Sequence, residues 1–209
     1  MTNKQDHMRT FDPRKVAHYE VANYVAYYQK NWTGLLRYTV GLVKEAFGLP
    51  LIRAIEGAYL VARAEIAFAP FPDNDVPKAR SYMTRFYQLV KAVHMDTHLD
   101  PAEAARLDVQ WWIVHRELFA NPANAGLTNA LADLWAYAYD VPREHVLPAA
   151  QARADAMLIS DRWVRGSKDP ADPVLTDEER IMTEAYVLLR TALATAPAAH
   201  AMRATPAGA

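Results

Sequence analysis

At 209 residues, with 52% hydrophobic and 22% charged residues, the chain has the length and composition of one globular domain with a substantial core. A net charge of −1 gives no electrostatic case for nucleic acid or an anionic lipid surface as a partner. The absence of cysteine excludes disulfides, thiolate metal sites, iron–sulfur clusters and a cysteine nucleophile.

Only seven glycines occur and strand-like alternation is scarce, whereas Ala, Leu, Arg and Glu are plentiful, which is the vocabulary of helices. The opening MTNKQDHMRTFDP is polar and lacks the apolar centre of a signal peptide, so residues 1–12 read as a flexible tail. Asp12-Pro13 looks like an N-cap followed by proline at the first helical position, opening a helix over about 13–31. A second is expected over about 33–47, stopping at Gly48-Leu-Pro50, and a third over about 51–69, ending in the Pro70–Pro72 loop. Asp75-Val-Pro77 opens a fourth, to about 95, and Asp100-Pro101-Ala-Glu103 a fifth, to about 120. The loop 121–126 leads into a sixth helix over about 127–140. Pro142 and Pro148 bracket a short turn before a seventh at about 149–165, and Thr176-Asp-Glu-Glu179 caps the last, to about 195. The remainder, 196–209, is Ala- and Pro-rich and reads as a disordered tail. The expectation is an all-α, single-domain bundle of seven or eight helices over 13–195. No apolar run is long and uncharged enough to span a membrane, which makes a cytoplasmic protein the default.

A polar residue in the middle of a helix's apolar stripe must be paired or have a task, because burying it alone costs about 1–3 kcal/mol. In the fifth helix Leu107, Trp111, Val114 and Leu118 form one edge of the stripe, and Trp112 and Phe119 form the other. Arg106, Gln110 and Glu117 point the opposite way, while Asp108 and His115 fall between the two edges. Those two are separated by about 10.5 Å along the axis, too far to bond one another, so each needs a partner from elsewhere. In the third helix Glu65 lies opposite the exposed Arg53, Glu56 and Arg63, on the side of the Ala54-Ala58-Ala62 ladder, and burial at a helix–helix contact is expected. Glu20 shares a face with Val16, Tyr24 and Tyr27, and Tyr87 and His94 edge the core stripe of the fourth helix. Together Glu20, Glu65, His94, Asp108 and His115 propose a polar cluster inside the bundle.

Several chemistries fail on their residues. A di-iron carboxylate bundle needs Glu-x-x-His, which does not occur. His94-x-x-x-His98 has the spacing of a zinc helix but no glutamate to act as base, and reads better as a solvated helix end. The serines are Ser81, Ser160 and Ser167, none in a Gly-x-Ser-x-Gly elbow, and no phosphate or dinucleotide fingerprint is present. Asp161 and Arg165 are spaced for a surface ion pair.

The order of features over about 78–158 resembles the all-helical haem oxygenases of the latex-clearing and MpaB type. The matching pieces are RFYQLVKAVH (85–94), Asp100-Pro101, WIVH (112–115) and YDVPREHVLPAA (139–150). The resemblance implies a b-type haem in the bundle, oxidative chemistry on an apolar substrate, and an axial histidine at His94, or less well at His98.

The residues themselves support a broader expectation: a small-molecule enzyme or binder with an apolar, aromatic-lined pocket between helices. His115, Asp108 and Glu65 are the expected catalytic anchors, with His115 as general base. Trp111, Trp112, Tyr87, Glu20 and Tyr24 are the expected pocket lining. The haem oxygenase, with His94 as cofactor ligand, is the oxidative alternative. A non-catalytic helical module that binds a partner or forms a homo-oligomer is the third.

Overall fold

A computed structural model describes residues 7–70, 72–95, 97–120 and 126–196. Among them are eight α-helices and no strand: α1 (Pro13–Tyr28), α2 (Trp32–Phe47), α3 (Leu51–Phe68), α4 (Val76–Val93), α5 (Pro101–Ala120), α6 (Gly126–Ala138), α7 (Arg143–Arg165) and α8 (Val174–Thr195). The loop residues 121–125 and the tail residues 197–209 lie outside the described residues, as do residues 1–6.

Local chemistry sets most of the helix ends. Asp12 caps α1 by accepting from the Arg14 amide at 3.0 Å, with Pro13 at the first position. Asn31 caps α2 through the Gly34 amide, and Gly48 closes it in the left-handed region at φ 58°. Asp75 caps α4, and Asp100 accepts from the amides of Ala102 and Glu103 at the start of α5.

Four boundaries differ from the expectation. Helix α1 stops at Tyr28, because Lys30 turns into the left-handed region at φ 56°. Helix α4 ends at Val93, which leaves His94 as its cap. Helix α7 starts at Arg143, and Pro148 sits inside it, near enough to the start that only one backbone bond is forfeited. Helix α8 begins at Val174, where Asp172 accepts from the Val174 amide, two residues before the Thr176 run.

The stretch expected as a flexible N-terminal tail is also corrected from residue 7 onward. His7–Arg9 forms a 3-10 turn, Met8 and Phe11 are buried, and Arg9 donates to the carbonyls of Tyr139 and Leu193. Two buried apolar side chains and an anchored guanidinium are enough to fix a short polar segment that composition alone marks as loose.

Each helix packs on its neighbours in the chain, α1 on α2, α2 on α3 and so on to α7 on α8, and α8 closes back on α1. The result is a ring of eight helices. One arc of the ring, α1 with α6, α7 and α8, is held by an apolar cluster that includes Val16, Leu131, Trp135, Ala150 and Leu189. The other arc, α2 to α4, is held by a second cluster around Val43, Ala54, Phe86, Tyr87 and Val90. Helix α5 belongs to both. Its Leu107, Trp111, Val114 and Leu118 edge joins the first cluster and Trp112 joins the second. The side chain of Phe119, assigned to the second edge, lies outside what is described. A helix whose two apolar edges diverge into separate clusters must direct the residues between them toward the middle of the ring.

Candidate functional site: a cavity at the centre of the ring

The middle of the ring is a cavity of about 280 Å³ to which all eight helices contribute side chains. That lies near the lower end of the range for small-molecule sites and far above the space a single water needs. Of the residues expected to act or to line a pocket, His115, Asp108, Glu65, Trp111, Trp112, Tyr87, Glu20 and Tyr24 all border it. His94 does not.

The polar groups divide by how they are satisfied. Glu20 accepts two hydrogen bonds at one oxygen from Arg153, from Nη2 at 2.6 Å and Nε at 3.1 Å, and a third at its other oxygen from the Tyr186 hydroxyl. Arg153 is itself buried, with its guanidinium 4.8 Å from the Trp111 ring centroid and 5.6 Å from that of Trp135. Burial works against the charge of Arg153, but Glu20 more than offsets it, and the group is held firmly cationic. Burial and the neighbouring Glu20 push the Tyr186 phenol well up, so it remains a donor.

Asp108 is satisfied by neutral donors instead. The Tyr87 hydroxyl and the Trp111 indole N–H each reach one of its oxygens at 2.7 Å. Desolvation raises the Asp108 carboxyl above its ordinary range, while these two bonds and the Arg153 charge pull it back. His115 Nε2 donates to Asp161 Oδ2 at 3.1 Å, and Asp161 is 1% exposed. Asp161 is therefore not the surface partner of Arg165 that its i, i+4 spacing suggests: the face it occupies, beside Met157 and Val164, turns inward.

Glu65 has no such support. It borders the cavity, and its carboxyl accepts no hydrogen bond from any described residue. Desolvation, with the nearby Asp108 carboxyl second, raises it from 4.5 to about 7. Expected to be buried at a helix–helix contact, Glu65 is partly buried at the cavity's edge. The Ala54 and Ala58 ladder is buried, together with Ala64, and Glu65 looks past it into the cavity. Glu178 is the counterpart on α8: it is 1% exposed, accepts from the Ser160 hydroxyl at Oε1 and has no donor at Oε2. Burial raises it, too, to about 7.

The haem reading meets the structure at His94. Its Nε2 lies 2.7 Å from the Phe47 carbonyl, an acceptor only, so that nitrogen carries a proton and offers no lone pair to iron. A haem is also larger than the drug-sized molecules that fill cavities somewhat bigger than this one. His94 thus does not fit the ligand role; it pins the end of α4 to the end of α2. Of the pair expected at a solvated helix end, His98 is exposed, whereas His94 is partly buried. Among the described residues no group of three or more His, Asp or Glu is arranged to hold a metal ion, and no helix is long and apolar enough to cross a membrane.

Arg153, Tyr186, Glu178, Ser160 and Asp161 complete the site and were not among the expected residues. The signal for two of them is present. Arg153 shares a helical face with Ala149, Ala150, Ala156 and Met157, and Glu178 with Leu175, Met182 and Ala185, the same mark that singles out Asp108. No protein-family model, curated protein or solved structure matches the chain.

Proposed function

We propose that the chain takes a small, largely apolar organic molecule into the central cavity and moves a proton to or from it. The carrying observation is Glu65, a carboxyl without a hydrogen-bond partner that faces an aromatic-lined cavity and titrates near neutrality. A buried acid left unpaired at a structural contact would cost stability for no return, whereas one open to a ligand can be completed by it. A carboxyl poised near neutral pH is also suited to general acid–base work, since it exchanges protons without a large driving force in either direction. His115, held by Asp161, borders the same cavity. Trp111, Trp112 and Trp135 border the cavity and report on its contents.

The test is fluorescence quenching and thermal shift with indole as a neutral ring probe. Wild type should show saturable quenching and a raised Tm. Ala138→Phe, which directs a ring into the cavity, should fold but show neither. Equal responses from both proteins, or none from wild type, would overturn the cavity reading.

A further inference from the structure

We propose that the ligand of this cavity is an organic cation, an ammonium group on an apolar body, with its charge received at Glu65 beside Asp108. The inference rests on the cavity reading and adds the chemical class of the molecule.

Two kinds of bookkeeping lead to it. The first is charge. Among the described residues four carboxyl groups border the cavity, Glu20, Glu65, Asp108 and Glu178, against one permanent cation, Arg153, which is spent on Glu20. An anionic ligand would add to that excess in a medium of low dielectric, where like charges repel most strongly. The second is hydrogen bonding. The donors that reach these carboxyls are Tyr87, Trp111, Tyr186, Ser160 and Arg153, and each is already engaged. Acceptor capacity is left over at the Glu65 carboxyl and at Glu178 Oε2, the latter on a side chain that is 1% exposed. A ligand that completes these two carboxyls brings donors, and an ammonium brings them together with positive charge and without accepting.

The apolar walls are of the matching type. Trp112, Phe86 and Phe47 border the same space as Glu65, among aliphatic neighbours such as Val61 and Met83. Ring faces attract cations, and the molecule already uses this on the far side, where the Arg153 guanidinium lies over Trp111 and Trp135.

Binding should be linked to pH through Glu65. Around it the cavity presents Glu20 and Tyr24 from α1, Tyr87 from α4, Asp108 and His115 from α5, Tyr139 after α6, Arg153 from α7, and Glu178 and Tyr186 from α8. After desolvation, the group that raises Glu65 is Asp108. A cation seated between the two carboxyls relieves that repulsion and favours loss of the Glu65 proton, so affinity should rise as pH rises through about 7.

The experiment compares three isosteric probes, benzylammonium, benzyl alcohol and benzoate, by calorimetry and tryptophan quenching at about pH 8 and about pH 5.5, on either side of neutrality. At the higher pH benzylammonium should bind about tenfold more tightly than the alcohol, with benzoate weakest. The advantage should shrink at the lower pH and vanish in Glu65→Gln, whose fold is checked by its circular dichroism and cooperative urea unfolding. Alcohol or benzoate binding as tightly as the ammonium, or a preference that survives Glu65→Gln, would overturn the proposal. If none of the three binds while indole still quenches, the cation inference fails and the cavity reading stands. If indole fails as well, both fall.

Discussion

Glu20 on one side of the ring and Glu65 with Asp108 on the other are satisfied in opposite ways. In the arc of α1, α7 and α8, Glu20 meets a guanidinium and a phenol, and charge is compensated by charge. In the arc of α3, α4 and α5, Asp108 has only the neutral donors Tyr87 and Trp111, and Glu65 has none. Desolvation lifts Glu65 and Asp108 above their ordinary range, and does the same on α8 to Glu178, whose Oε2 has no donor. Partner chemistry, and not burial by itself, thus decides how each carboxyl is satisfied.

The largest effect expected from breaking this contrast is in the compensated arc. Arg153→Met strips Glu20 of its cation and should cost about 3–5 kcal/mol in urea unfolding, with part regained in Arg153→Met/Glu20→Gln because no lone charge is then buried. In the uncompensated arc the sign reverses. Glu65 keeps its proton in the folded state up to about pH 7 but loses it near 4.5 when unfolded, so the folded state binds more protons in that window and stability falls as pH rises through it. Glu65→Gln removes that loss and should stabilise the protein at pH above 7, by at most about 3 kcal/mol, and leave it near wild type at pH below 4.5. Glu178, also raised to about 7, would leave a second decline in the variant's pH profile. The smallest of the three effects belongs to Tyr87→Phe. It leaves one Asp108 oxygen without its donor and should cost about 1 kcal/mol by the same urea measurement at neutral pH.

Fold class and helix number are legible in this sequence because proline, glycine and capping side chains punctuate it clearly; Asp12, Asp75 and Asp100 each make the cap their position suggests. The inward direction of Asp108 and His115 is legible for a different reason: helical periodicity fixes a face without knowing what lies opposite. Their partners are not legible. Tyr87 is 21 positions from Asp108 and Asp161 is 46 from His115, and no local pattern encodes which helices become neighbours in a ring. Spacing misleads most at Asp161, where an i, i+4 basic residue suggests a solvated pair on a face that is in fact buried. His94 fails at a boundary, because α4 ends one residue before it and the imidazole turns to the Phe47 carbonyl.

The closure of α8 on α1 bears on the order in which the molecule assembles. Most helix pairs in the ring are neighbours in the chain and can dock early, but Glu20 lies 133 positions from Arg153 and 166 from Tyr186. Their contact exists only once the chain's two ends have met, so the ion pair acts as a latch set after the other joints. A latch of that kind holds the finished ring shut without hastening its construction. Replacing Arg153 should therefore show itself mainly as faster unfolding, with the refolding rate little changed.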